Sequence, residues 1–359
     1  MKSDFANSFY LFLFSQVKGL GSNTIISLLK KCGSPQDLYR QALTGSGLFN
    51  NTVSEQLRDK NFISAVKKSF TDLCEDYITI LDPLYPPNLK NIYDPPLFLF
   101  YRGAIALLKN DYLLTVVGSR TSTDYHRNCV HNIFQDLKNT PLIIVSGLAI
   151  GIDTLCHKKA LENNLKTIAV LGSGLSKDRL YPQENVGLAT EIIQNGGLII
   201  SEQSAKVQTQ LYHFPKRNRI LAGLSKATLV ISGAEKSGTL ITAQVALDEG
   251  REVLALPANI NMRLSYGPNK LIKEGATLLD SAKDIFKIYN LEKNCSAKKI
   301  LFKNKYHAKI YTLLQTESMN LVDLSARLDL PLAQLNIFIS EMEIAGLIKS
   351  NYFNQLEIL

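Results

Sequence analysis

The residues best suited to chemistry are glycines, hydroxyls and cations that follow short apolar runs. In VVGSR (116–120), Gly118 permits a tight turn and close backbone approach, Ser119 adds a hydroxyl, and Arg120 is placed to grip a phosphate through paired N–H groups. The plainer reading of Arg120 is a surface arginine after a turn. In VSGLAIGID (145–153), Ser146, Gly147, Ala149 and Gly151 line a turn that opens a helix, and the free N–H groups there make an anion cradle. Asp153 is expected to cap that turn or helix. His157 follows on the same face, and the two could act as acid and base or form a structural hydrogen bond. HFPKRNRILAGLS (213–225) sets Lys216, Arg217 and Arg219 beside Phe214. Cations suit phosphates, and a ring offers a base a stacking face of roughly 1–3 kcal/mol. Because the segment becomes an amphipathic helix, one of the two arginines could be structural instead. In ISGAEKSGTLITAQVAL (231–247), Ser237, Gly238 and Thr239 begin a helix and form another phosphate cradle, with Thr242 one turn in.

Other chemistries lack their signatures. The GLAIG spacing is not the GxGxxG dinucleotide fingerprint, and TIAVLG ends in glycine where a ribose-binding acid would stand. No GxxxxGK[ST] occurs, which disfavours ATP hydrolysis by a P-loop. HExxH, GxSxG, paired carboxylates and metal-spaced His/Cys clusters are missing too, so no catalytic residue, metal or cofactor is expected. The five cysteines, Cys32, Cys74, Cys129, Cys156 and Cys295, are scattered without a CxxC pair, as suits a reducing, cytoplasmic compartment. LGSGLSKDRLYPQEN (171–185) is one more glycine-bearing exit, functional or architectural, in which Tyr181 and Pro182 would order the loop.

These segments need a scaffold with parallel strands. The candidates are 97–101, 113–118, 142–146, 167–172, 197–201, 228–232 and 252–256, each apolar throughout and separated by amphipathic helices. That alternation predicts an α/β fold, an extended Rossmann-like doubly wound parallel sheet over 81–285 whose ligands sit beyond the strand ends. Before it, 1–80 reads as several short helices. There VKGLGSNTIISLLKKCGS has a Gly-x-Gly turn before a helix, either a phosphate site or a packing unit. Five prolines between Pro83 and Pro96 make the connection extended. A basic linker, 286–305, follows the sheet; across 281–310 eight lysines face Asp284 and Glu292, a solvated stretch or a nucleic-acid contact. Residues 306–359 read as helix, helix, helix and hairpin, the pattern of a C-terminal winged-helix domain. Its third helix, around LAQLNIFISEME, carries two glutamates and no cation, so DNA and protein remain equally open as partners.

The whole chain has 359 residues, Lys plus Arg 40 against Asp plus Glu 32, a net charge of +8 and a pI near 9.0. The length predicts two or three domains, and the charge hints at an anionic partner. No apolar run approaches the ~18 residues that span a bilayer, and the amino-terminal stretch lacks a signal peptide's cleavage site, so no membrane association is expected.

The ordered motifs VVGSR, VSGLAIGIDTLCHKKAL, TIAVLGSGLSKDRLYPQEN, GLIISE, FPKRNRILAGLS, SGTLITAQVALDEGREVLALP and KLIKEGA resemble the DNA-processing protein A family (DprA, also called Smf) over about residues 80–280. The helical start is similar to that family's sterile-alpha-motif-like domain and the tail to its winged helix. The resemblance implies a non-enzymatic, commonly homodimeric recombination mediator. It would bind single-stranded DNA, protect incoming DNA in natural transformation and load the RecA recombinase. By motif, the DNA contacts would fall on Arg120, Ser146, Gly147, Phe214, Lys216, Arg217 and Arg219, with Ser237, Gly238 and Thr239 completing the pocket. The sequence departs from the family at Ser232, where an acid is common, and at Pro257-Ala258 and Gly267-Pro268-Asn269. Two other readings stand beside this one. A Rossmann-type nucleotide phosphoribohydrolase would need a glutamate where Thr242 stands, and an interaction scaffold would use the winged helix without touching DNA.

Overall fold

In the computed structural model the described residues are 5–44, 47–205, 207–291, 302, 304–351 and 355–358. They form two compact units, Met1–Glu292 and Lys293–Leu359.

All seven apolar runs are strands of one nine-stranded sheet. In chain order the strands are β1 (Asp76–Thr79), β2 (Phe98–Gly103), β3 (Leu113–Val117), β4 (Ile143–Ser146), β5 (Lys166–Leu171), β6 (Leu198–Ser201), β7 (Ala227–Val230), β8 (Glu252–Ala255) and β9 (Thr277–Leu278). Across the sheet the order is β1-β2-β6-β5-β4-β3-β7-β8-β9. Every pair from β6 to β9 is parallel. The run at 97–101 breaks the expected pattern: as β2 it pairs antiparallel with both β1 and β6. Its apolar character comes from the cover on its face. Phe98 meets Phe12 edge-on at 5.6 Å between ring centroids and Tyr77 at 5.5 Å.

That cover is the amino-terminal block, with helices Phe5–Gln16, Ser22–Cys32, Pro35–Leu43, Asn51–Arg58 and Lys60–Thr71. Three of them start on side-chain caps: Ser34 accepts from the Asp37 N–H, Asn50 from Val53 and Asp59 from Asn61. Leu11, Phe14, Leu57 and Phe70 share one buried core with Ile78, Phe98, Phe100 and Ile200 of the sheet. The stretches expected as domains 1–80 and 81–285 thus pack as a single unit. A second core lies on the other face, where Val130, Phe134 and Cys156 meet Leu114, Ile144 and Leu229.

The order of the strands reverses between β3 and β7. From β3 the chain passes through helix Asp124–Leu137 to β4 on one side, and it returns through helix His213–Leu224 to β7 on the other. The loops leaving β3 and β7 therefore diverge, and a crevice opens between them.

The second unit has helices Lys305–Thr316, Leu321–Leu328 and Leu332–Ile344, then an antiparallel hairpin, Ile348–Ser350 with Leu356–Ile358. Met319 pairs with Leu356 as a third edge, and Ile310, Leu324, Leu335 and Met342 fill the core. This is the winged-helix order. Ile337 and Ile344 stay exposed on the third helix. Of the basic linker expected at 286–305, the start belongs to helix Ala282–Tyr289, while 292–301 and 303 lie outside the described residues. Among the described residues no helix is long and apolar enough to cross a membrane.

Candidate nucleic-acid interface

A cavity of about 540 Å³ opens at the switch between β3 and β7. Gly118, Ser119 and Arg120 reach it from β3, and Gly147 and Asp153 from β4. Phe214 and Arg217 reach it from helix His213–Leu224, and Ser237, Gly238 and Thr239 from the loop after β7. The glycines are set by crowding. A Cβ on Gly118 would lie 2.6 Å from Ile152. Gly151 has φ +92° and leads into Ile152, whose N–H donates to the Ser119 carbonyl at 3.1 Å. The Ser119 N–H in turn donates to Ser232 Oγ at 3.0 Å, stitching the β3 loop to the β7 loop.

The cavity floor is charged and buried. Arg217 donates from Nη1 to the carbonyls of Gly147 (2.9 Å) and Val170. Asp153 accepts from the N–H groups of Gly147 (3.1 Å) and Ala149 (3.4 Å), closing the turn after β4. A Cβ on Gly147 would sit 2.5 Å from the guanidinium and 2.6 Å from the carboxylate, so any side chain there must displace one of the two groups. Burial pulls the Arg217 pKa down to about 10 even though Asp153 opposes it, which still leaves a full cation at neutral pH. Burial likewise pushes the Asp153 carboxyl up against the pull of Arg217. The Asp–His pair anticipated from spacing does not form. His157 Nδ1 lies 2.7 Å from Thr167 Oγ1 on β5, and burial, reinforced by Arg217, holds the imidazole neutral with a pKa lowered to about 3.

At the rim stand Arg120, which is exposed, and Lys236, an exposed cation on the opposite loop. Lys236 was passed over in the sequence, although a cation next to the Ser-Gly-Thr helix start was the available signal. Tyr181 also lines the mouth and meets Phe214 edge-on at 5.4 Å.

Three of the anticipated residues do not line the cavity. Ser146 is fully buried and donates to the Val116 carbonyl at 2.7 Å, tying β4 to β3. Lys216 and Arg219 lie on the back of helix His213–Leu224, because Phe214, Asn218 and Leu221 at i, i+4 and i+7 take its front. Lys216 pairs with Glu202 at 3.4 Å. Arg219 is held between Asp94 (2.9 Å) and Glu202 (2.6 Å).

The proline-rich strap 85–96 fastens this back face. Ile92 and Leu89 come so close to Gly223 that a Cβ there would be 2.5 Å from Ile92 Cγ2. The Tyr93 N–H donates to Glu249 at 2.8 Å, and Arg251 donates to the Asn88 carbonyl at 2.9 Å. Asp94 also accepts the Ser22 hydroxyl at the start of helix Ser22–Cys32. The Gly-x-Gly turn read as a possible phosphate site thus has a carboxylate of this chain as its neighbour.

The family model for DNA recombination-mediator protein A matches residues 76–290. The chain belongs to that family. A DNA processing protein DprA of Streptococcus pneumoniae is 46% identical over 207 residues, which are 58% of this chain and 72% of the relative. The X-ray structure of DprA from Streptococcus pneumoniae superposes with a TM-score of 0.67 at 37% identity, covering 80% of this chain and 98% of that one. A structure of DNA processing protein A from Helicobacter pylori, described for its single-stranded-DNA binding mode, gives 0.54 at 28% identity over 60% of this chain and 97% of that one.

Within the family frame the departures have local explanations. Ser232 supplies the acceptor for Ser119 described above. Asn269 clasps Ala258 from both sides, accepting from its N–H (3.2 Å) and donating to its carbonyl (2.8 Å). The Gly267 N–H donates to the Gly233 carbonyl at 2.7 Å, so the turn is held without the usual residues. Thr242, where a phosphoribohydrolase would carry glutamate, donates its hydroxyl to the Gly238 carbonyl at 3.2 Å.

Proposed function

We propose that the crevice binds single-stranded DNA, with Arg120 and Lys236 meeting backbone phosphates from opposite loops and Phe214 and Tyr181 offering faces to bases. Ser237, Gly238 and Thr239 present a helix start to a phosphate, and Arg217 adds a fixed positive charge beneath. On this reading the chain is a cytoplasmic recombination mediator that acts as a homodimer without catalysis. It shields incoming DNA during natural transformation and passes it to RecA. The observation that carries the reading is the meeting of glycine loops, hydroxyls and two exposed cations in one cavity at the switch of the sheet. The single-stranded-DNA binding mode of the Helicobacter pylori relative supports it.

The test is fluorescence anisotropy with a labelled oligo-dT at two salt concentrations. Affinity is expected to fall with salt, with a log–log slope of roughly −0.7 per phosphate neutralised, and to exceed that for duplex. An Arg120→Glu, Lys236→Glu double variant that keeps its fold should lose binding. Undiminished binding by that variant would remove the site assignment. No binding by the wild-type protein would favour an interaction scaffold instead.

A further inference from the structure

We infer that Arg219 is a positioning residue for DNA binding, acting through the helix that carries Phe214 and Arg217 and not by touching the strand. The inference rests on the reading of the crevice given above.

Arg219 has the composition of a contact residue and the surroundings of an anchor. Its side chain is 12% exposed, with Nε on Asp94 and Nη2 on Glu202. Both carboxylates lie outside its helix, one on the strap and one just after β6. Two acids therefore neutralise one guanidinium, and Glu202 also takes Lys216. Among the described residues the cations Lys216 and Arg219 are matched on this face by the acids Asp94 and Glu202. Held from two directions, the guanidinium resists both rotation and sliding of the helix. The opposite face of that helix, half a turn away, is the wall of the cavity.

The anchor extends into the helical amino-terminal block, because Asp94 is itself held by the Ser22 hydroxyl. A path of direct contacts thus runs from Ser22 through Asp94 and Arg219 to the helix bearing Phe214, Arg217 and Asn218. Gly223 sharpens the fit: it lets the strap press on the same face, so the anchor acts on a helix already in close contact.

Salt dependence separates an anchor from a contact. A residue that neutralises a phosphate contributes to the log–log slope, whereas one that only places other residues lowers affinity equally at every salt concentration. The experiment measures oligo-dT affinity over a salt series for the full chain, Arg120→Gln, Arg219→Gln, Arg219→Lys and Asp94→Asn, with circular dichroism confirming the fold of each. Arg120→Gln should weaken binding and flatten the slope by about 0.7. Arg219→Gln should weaken binding roughly tenfold, in line with the loss of a group that supports binding residues, at an unchanged slope. Arg219→Lys should recover part of the loss. Asp94→Asn, which keeps the arginine and removes one of its anchors, should give a smaller loss at the same slope, and it serves if Arg219→Gln fails to fold. A flatter slope in Arg219→Gln would make Arg219 a phosphate contact and overturn the inference, as would undiminished affinity in both Arg219→Gln and Asp94→Asn. Wild-type protein that does not bind at all would instead bring down the reading on which the inference rests.

Discussion

Arg217 and Asp153 face each other across the space that a side chain on Gly147 would fill. The guanidinium and the carboxylate lie 2.5 Å and 2.6 Å from that Cβ position. Both are almost fully buried, and both also bond the Gly147 backbone, one at its carbonyl and the other at its N–H. Gly147→Ala should therefore cost about 1–3 kcal/mol of stability by overpacking. It should also weaken oligonucleotide binding, because Arg217 must leave the floor. Thermal melting and anisotropy on the same sample read both effects.

Ser232 offers a finer probe. Ser232→Ala leaves the Ser119 N–H without the acceptor it now has at 3.0 Å. Ser119 is half-buried, so the cost should fall at or below the low end of the roughly 1–3 kcal/mol of a fully buried unpaired donor. Because Arg120 is the next residue, DNA affinity should fall as well. Ser232→Thr keeps the hydroxyl and should behave close to wild type in both denaturant unfolding and binding.

The cations should sort by position. Arg120→Gln and Lys236→Gln should each flatten the salt dependence by about 0.7. Lys216→Gln should leave the slope close to wild type, since Lys216 stands behind the helix beside Glu202. A slope change in Lys216→Gln equal to that in Arg120→Gln would contradict the proposed path of the strand.

Acid should expose the buried His157. Its pKa is lowered from 6.5 to about 3, chiefly by burial, so the unfolded chain takes up a proton below pH 6.5 that the folded protein refuses. Stability is present above that value and declines as pH falls through the window from 6.5 toward 3. At pH 5 the loss is about 2 kcal/mol from this group, at 1.36 kcal/mol per pH unit. The raised carboxyl of Asp153 works in the opposite sense, favouring the folded state as pH falls. His157→Asn should show a smaller change in Tm between pH 7 and pH 5 than wild type does. An equal change in the two proteins would contradict the assignment.

The sheet was legible in the sequence where burial on both faces made strands apolar from end to end, as in 113–117 and 227–230. β1 and β9 escaped notice for lack of that signal: Asp76–Thr79 is half-exposed and Thr277–Leu278 is two exposed residues. The direction of β2 was misread because an apolar run records cover, not orientation, and part of its cover comes from residues as distant in sequence as Phe12. The glycine loops of the site were legible because their crowding is local. The two ion pairs of Arg219 were not, since Asp94 and Glu202 are 125 and 17 residues away. Lys216, Arg217 and Arg219 look equivalent along the chain, and only the phase of the helix separates the buried floor from the anchored back.

The pairing of β3 with β7 has a consequence for what can enter. Thr115 stands opposite Thr228 and Val117 opposite Val230, so the loops bearing Arg120 and Lys236 spring from neighbouring strands. Hydrogen-bonded strands hold a spacing of about 4.8 Å and do not stretch to suit a visitor. The root of the opening is thus a gauge of fixed width, set by the backbone of the sheet. Any widening of the cavity to suit a ligand therefore falls to the loops that diverge above that root.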